Sequence, residues 1–469
     1  MSDILSLGLP ALVDGYRTGK ISPRDAMVAI LDAAERVGPA LNAFALIDRK
    51  AALSDARRSE TRWRKGAPKG PLDGVPFTVK DNIMWAGRPM RRGSPTTSAE
   101  SVTENAPAVD RLVGAGAIPW AKTTLSEYGW KGIGDSPLHG LLRNPWDTRT
   151  TTGGSSGGAA AAAALGLGPL HLGTDGAGSI RIPASFCGVF GIKPTYGRVP
   201  AYPPSPFAIV SHVGPITRDV TDAAIMLGVI AAPDPRDMSS PLTPPQDYLA
   251  GLEIGIKGLR VAWSPRLGHV ERIDPEVEAL AEGAARAFES LGATVEEADP
   301  ELRAASGILE TLWTVGAYSV LRGLPAESWS GIDPGLVAAA ERGRNVLGAD
   351  FVAAANARGP LYLAMERFHE RYDLLLTPTL ATTAVEGGRD APADGRFGSD
   401  WLGWNPYTYP FNLTGQPAAS VPCGLTKAGL PVGLQIVGPV GRDGLVLRAA
   451  RAFEAARPWP RLAEPRIRH

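Results

Sequence analysis

Only two cysteines, Cys187 and Cys423, occur in 469 residues. That is too few for a disulfide framework, and with no CxxC pair and no Cys/His cluster the chain offers no structural metal site. Two isolated thiols suit a reducing compartment. Charge of one sign is not in excess either: 48 Lys and Arg balance 48 Asp and Glu, so no global field draws in nucleic acid or an anionic membrane. No apolar run reaches the roughly 18 residues that would cross a bilayer. The opening MSDILSLGLPALVDGYRTGK lacks the basic start, long apolar core and small-residue cleavage site of a secretory leader. No segment of about 20–50 residues repeats. These absences predict a soluble, cytoplasmic protein whose partner is a small molecule, with no cofactor, metal, nucleic acid or membrane.

What is present is a composition able to fold: 44% apolar and 20% charged residues are ordinary for a globular chain with a large core. Helical and extended patterns alternate, which predicts a layered α/β architecture. Ser22-Pro23-Arg24-Asp25 reads as a helix cap followed by Ala26, Ile30, Leu31 and Ala34 on one face. Val75–Val79 reads as a buried strand that delivers Lys80-Asp81-Asn82 at its C-terminal end, where α/β enzymes place their chemistry. Further strands are expected at Ala117–Ala121, Thr294–Glu297, Asp373–Pro378 and Gly433–Val437, and helices at Ala108–Ala115, Asp274–Leu291 and Arg442–Ala455. Six consecutive alanines after Gly157-Gly158 predict a closely packed, buried helix. The proline-broken stretch 232–247 reads as an exposed connection, and the polar, Gly-rich 386–400 as a long loop able to border a site.

The segment Gly153-Gly154-Ser155-Ser156-Gly157-Gly158 admits three readings. Its composition is that of a flexible linker, but a loop directly before an alanine-rich helix gathers backbone N–H groups at a positive terminus. It also fits the GxSxG elbow of an α/β-hydrolase, with Ser156 as nucleophile. That elbow needs a buried strand before it, whereas Asn144–Thr150 is polar and proline-broken, and none of His171, His212, His269, His369 or His469 has a distinguishing setting. The third reading joins this loop to Gly173–Pro183 and to Gly74–Asp81.

Taken together, those three segments resemble the amidase signature family. The resemblance extends through Arg143-Asn144-Pro145-Trp146, Phe186–Thr195 and Asn412–Ala418, and so covers most of the chain. It implies a single domain over 1–469 with a large mixed sheet covered by helices on both faces. Within it lie a signature core at about 70–220, a covering helical region at about 270–370, and a C-terminal part that completes the sheet. It also implies Ser179 as nucleophile, Ser155 as proton relay after a cis peptide from Gly154, and Lys80 as base; 75 residues separate Lys80 from Ser155 and 24 separate Ser155 from Ser179.

These residue types suit the chemistry. A serine hydroxyl needs a base to take its proton as the new bond forms, and a lysine serves only when desolvation lowers its affinity for a proton. An oxyanion is stabilised by preorganised backbone N–H groups, for which Gly176, Ala177, Gly178 and Ser179 are the matching loop. The family often has Gly-Gly where this chain has Ala177-Gly178, a change that keeps the backbone donors. Ser156, Asp175 and Arg181 are expected to support the loop, with Arg181 bracing it. Lys193 and Asp81 stay outside the triad, and structural roles are expected for His139 and His171.

The expected reaction is hydrolysis of an aryl or alkyl amide through an acyl-enzyme, with carbamates or esters as side substrates. Tyr128, Trp130, Trp404 and Asn405 are expected in the substrate pocket, within a wider group of aromatics that includes Trp401, Tyr407 and Tyr409. The alternative is the glutaminase subunit of a tRNA-dependent amidotransferase. That branch holds its substrate's amino group with an Asp seven residues before the Asn of its Asn-Leu-x-Gly motif, and here that position is Asn405. The family also carries an expectation of a homodimer.

Overall fold

The computed structural model describes residues 2–244, 246–462 and 464–467, so Pro245 of the proline-broken connection and His469 lie outside the described residues. Thirteen strands are present: β1 (Phe44–Ile47), β2 (Pro76–Lys80), β3 (Ile118–Thr123), β4 (Arg143–Asn144), β5 (Asp147–Thr151), β6 (Leu170–Asp175), β7 (Phe190–Lys193), β8 (His212–Thr217), β9 (Arg260–Trp263), β10 (Thr294–Glu297), β11 (Leu374–Pro378), β12 (Ala418–Leu425) and β13 (Pro431–Val437). Eleven of them form one sheet in the order β1-β3-β2-β6-β8-β7-β12-β13-β11-β9-β10, and β4 and β5 pair separately. The sheet is mixed. β3, β2 and β6 run parallel, as do β11, β9 and β10, and antiparallel pairings through β8, β7, β12 and β13 join the two flanks.

Alternation along the strands shows why both faces are covered. Leu374 and Leu376 of β11, Val261 and Trp263 of β9, and Leu434 and Ile436 of β13 enter one apolar cluster, while Leu375, Ala262 and Val437 enter another. Helices Pro107–Gly114, Val220–Ile230, Pro275–Ser290 and Asp443–Ala456 contribute to the first, and Ala305–Leu321, Pro334–Arg344 and Gly348–Arg371 to the second. The helix Pro275–Ser290 thus packs on one face of the sheet and the helices from Ala305 to Arg371 on the other.

Local sequence explains the elements next to the site. The helix Pro23–Leu41 starts where Ser22 Oγ accepts from the Asp25 N–H at 3.1 Å, and it stops at Asn42, whose φ of 62° is left-handed. The helix Gly157–Ala164 has every residue buried, as small side chains allow. Cys187 is buried, Cys423 is half-buried, and the two remain free thiols. No helix among the described residues is long and apolar enough to cross a membrane.

Candidate active site

β2 and β6 lie side by side in parallel, with Val79 opposite Leu172, so Lys80 and Thr174 emerge together at the same sheet edge. Lys80 Nζ lies 2.7 Å from Ser155 Oγ and 2.8 Å from Thr174 Oγ1, which also accepts from Asn82 Nδ2 at 3.1 Å. Lys80 is fully buried, and burial holds its ammonium pKa well below the ordinary lysine value, outweighing the opposing charge of Asp175. The Asp175 carboxylate is already engaged. Arg181 Nε and Nη2 each donate to it at 3.0 Å, and the pair is buried at both ends. Arg181 holds the Asp175 carboxyl far below the usual carboxylate range despite the opposing effect of burial.

The same guanidinium reaches further. It donates to Thr408 O and Gln435 Oε1, each at 2.8 Å, and to Asn412 Oδ1 at 2.6 Å. Asp175 in turn accepts the N–H groups of Gly178 and Ile180 at 2.7 and 3.1 Å. The loop carrying Ser179 is therefore pinned to β13 and to the helix Pro410–Thr414 through one buried ion pair. Asp175→Asn leaves Arg181 without its counter-charge and is expected to cost about 3–5 kcal/mol at neutral pH, read from urea midpoints. The sign follows from the depressed carboxyl: its contribution is complete above the ordinary carboxylate range and is lost as pH falls through the folded-state value.

Ser155 and Ser179 line one cavity of about 70 Å³. The peptide from Gly154 to Ser155 is cis. Ser156 ties the two serine loops together: its N–H donates to Ser179 O at 3.1 Å and its Oγ donates to Thr174 O at 3.0 Å. Because Gly178 gives its N–H to Asp175, it is withdrawn from the expected set of oxyanion donors. Among the described residues no protein group accepts from the N–H of Gly176, Ala177 or Ser179. Gly178 itself sits at φ 117°, and a Cβ there would lie 2.3 Å from Thr408 Oγ1, so only glycine fits.

Of the expected pocket residues, Tyr128 lines the cavity, and its hydroxyl pairs with Thr96 Oγ1 at 2.7 Å. Trp130 lines a separate cleft of about 800 Å³ that is bordered by residues of the 386–400 loop, Trp401 and Tyr409. Trp404 and Asn405 line neither. Trp404 is fully buried with its Nε1 donating to Asp390 O at 2.8 Å, and Asn405 Nδ2 donates to Ala177 O at 2.8 Å. Asn405 thus steadies the loop from behind, because its amide finds a backbone acceptor closer than the cavity. Tyr407 is likewise packed, its hydroxyl donating to Pro265 O at 2.7 Å.

Residues outside the sequence expectations complete the lining: Arg92, Trp313, and the proline-rich run ending at Phe207. Trp313 stacks on Phe207 with ring centres 4.0 Å apart, donates from Nε1 to Trp130 O at 2.9 Å, and borders both the cavity and the cleft. A Cβ on Gly176 would meet this indole at 3.1 Å, so the bare backbone lets the ring cover the loop closely. Among the described residues no histidine lines the cavity. His171 is bonded to Thr78 Oγ1 and Gly168 O, and burial pushes its pKa down to about 3. Lys193 is buried beside His212 and Gln416 O, and Asp81 pairs with Lys122 at 3.1 Å. Lys80 thus lies behind the cavity wall, bonded to Ser155 Oγ, and Ser155 shares the cavity with Ser179.

Comparison with known proteins gives a consistent picture. A family model described as Amidase matches residues 25–447. An acylamidase of Rhodococcus erythropolis is 40% identical over 451 residues, covering 94% of each chain. A glutamyl-tRNA(Gln) amidotransferase subunit from a Cyanothece species is 33% identical over 475 residues, covering 96% of each. The solved structure of a bacterial aryl acylamidase belonging to the amidase signature enzymes matches with a TM-score of 0.88 at 31% identity, over 97% of this chain and 96% of that one.

Proposed function

The chain belongs to the amidase signature family and hydrolyses amide bonds, and from that premise we propose that Ser179 is the nucleophile, Ser155 the proton relay and Lys80 the general base. The observation that carries this reading is Lys80: buried, without an ion-pair partner among the described residues, and 2.7 Å from Ser155 Oγ. As Ser179 Oγ bonds to the substrate carbonyl carbon, its proton passes to Ser155 Oγ while the Ser155 proton passes to Lys80 Nζ. The carbonyl oxygen becomes an oxyanion, held by the N–H groups of Gly176, Ala177 and Ser179. Collapse breaks the C–N bond, and the proton returns along the same path to the leaving amine. Water then attacks the acyl-enzyme by the reverse use of the relay.

Ser156 is a poor candidate for the attacking group, because its Oγ is bound to the Thr174 backbone from both directions and is fully buried. The glutaminase alternative needs a carboxylate for the substrate's ammonium. Among the described residues the cavity lining contains no Asp or Glu, and Asn405 is engaged with Ala177 O. Ile83, Ala106, Val213, Phe207 and Trp313 favour an apolar acyl or amine group, with carbamates or esters as side substrates. Purified protein alone is expected to hydrolyse anilides and alkyl amides. Turnover of glutamine only, and only with added partner subunits, would overturn the free-standing reading.

A further inference from the structure

Arg92 is the one charged residue among the described residues lining the cavity. Its backbone is clamped: the N–H donates to Asp81 O at 3.2 Å, and the carbonyl accepts from Tyr128 N at 2.7 Å. Both Arg92 and Tyr128 are held at left-handed φ, 50° and 51°, an uncommon conformation for residues with side chains and one that tends to mark functional positions. The guanidinium forms no hydrogen bond or ion pair with any described residue. Neighbouring charges are spent elsewhere: Asp81 on Lys122, and Arg91 Nε on Thr97 Oγ1. Glu100, the single acid of the adjoining outer cleft, is exposed and unbonded to Arg92.

Position adds direction to this charge. Arg92, Tyr128, Pro204 and Pro206 line both the cavity and that outer cleft of about 520 Å³, so the guanidinium stands on the way between solvent and Ser179. A half-buried guanidinium with no hydrogen-bonded acceptor leaves its donor fork free for a ligand, and a planar carboxylate is the group that matches that fork. We propose that Arg92 determines the specificity of this cavity by receiving a carboxylate carried on the amide substrate. The inference rests on the cavity being the amide-hydrolysing site and adds the class of amide: one with an apolar body and an anionic end.

Two arms of probes locate the carboxylate. 4-Acetamidobenzoate against acetanilide places it on the leaving amine, and the monoanilide of succinic acid against butyranilide places it on the acyl side. In one arm the wild-type protein is expected to favour the carboxylated member by about tenfold or more in kcat/KM, chiefly through KM. Arg92→Gln is expected to reduce that ratio about tenfold, and Arg92→Lys to retain part of it. The same probe pairs titrated calorimetrically into Ser179→Ala protein read the preference without turnover. A preference in binding with no hydrolysis of any probe sinks the catalytic reading and leaves Arg92 standing. Hydrolysis with no preference in either arm, or a preference untouched by Arg92→Gln, overturns the role of Arg92 alone. The wild-type comparison decides even if Arg92→Gln does not fold.

Discussion

Ser179→Ala is expected to lower kcat on an anilide by about 10⁴-fold or more and to abolish covalent labelling by a fluorophosphonate, because it removes the hydroxyl proposed to form the acyl-enzyme. The measurement has a built-in contrast. Ser156 lies in the same glycine-rich neighbourhood and fits a nucleophile-elbow pattern, yet its hydroxyl is bound to the Thr174 backbone and its N–H to Ser179 O. Ser156→Ala should therefore keep the label, with a reduced rate from loosened loops. If the label instead survives in Ser179→Ala and disappears in Ser156→Ala, the assignment is reversed.

Lys80→Met is expected to cost about 10²–10⁴-fold in kcat/KM, the range of a lost general base. Methionine approximates the length of the side chain and removes the amine together with its hydrogen bonds to Ser155 and Thr174. The pH profile supplies the sharper readout. The base works neutral, so activity should rise with pH as Lys80 loses its proton, and the midpoint should lie below the ordinary lysine value of about 10.4 because burial depresses it. Lys80→Met should flatten that limb. Stability moves in the same direction: between the depressed folded-state value and the ordinary one the unfolded chain carries the extra proton, so stability rises with pH there, and Met removes the slope. A variant that keeps its rate within about tenfold of wild type would place the base elsewhere.

The parts of this site that the sequence made legible are those that backbone chemistry constrains. A lysine at the end of an apolar strand, a Gly/Ser loop before an alanine helix, and a Gly-rich turn before Ser179 are each dictated by local needs, and the fold class follows from the same alternation. Residues brought in from a distance were hidden. Trp313 sits on a largely apolar helix, where an indole reads as core. Arg92 is one of two adjacent arginines in a polar loop, where charge reads as solvated. Strand β6 was masked because Leu170–Asp175 carries His171, Gly173 and Thr174 in place of a branched apolar run. β9 is four residues long, and unlike β10, which follows a strongly periodic helix, it has no helix leading directly into it to mark its start. Trp404 and Asn405 line neither the cavity nor the cleft, since sequence proximity to a motif does not say which way a side chain turns.

Trp313 borders both the cavity of about 70 Å³ and the cleft of about 800 Å³. This residue belongs to the helix Ala305–Leu321, whereas Lys80, Ser155 and Ser179 all stand at sheet edges and in glycine-rich loops. Reaction and reach are thus written in different parts of the chain. A lineage could lengthen or shorten the molecules it consumes by changing one residue of a covering helix, while the proposed proton path is inherited intact.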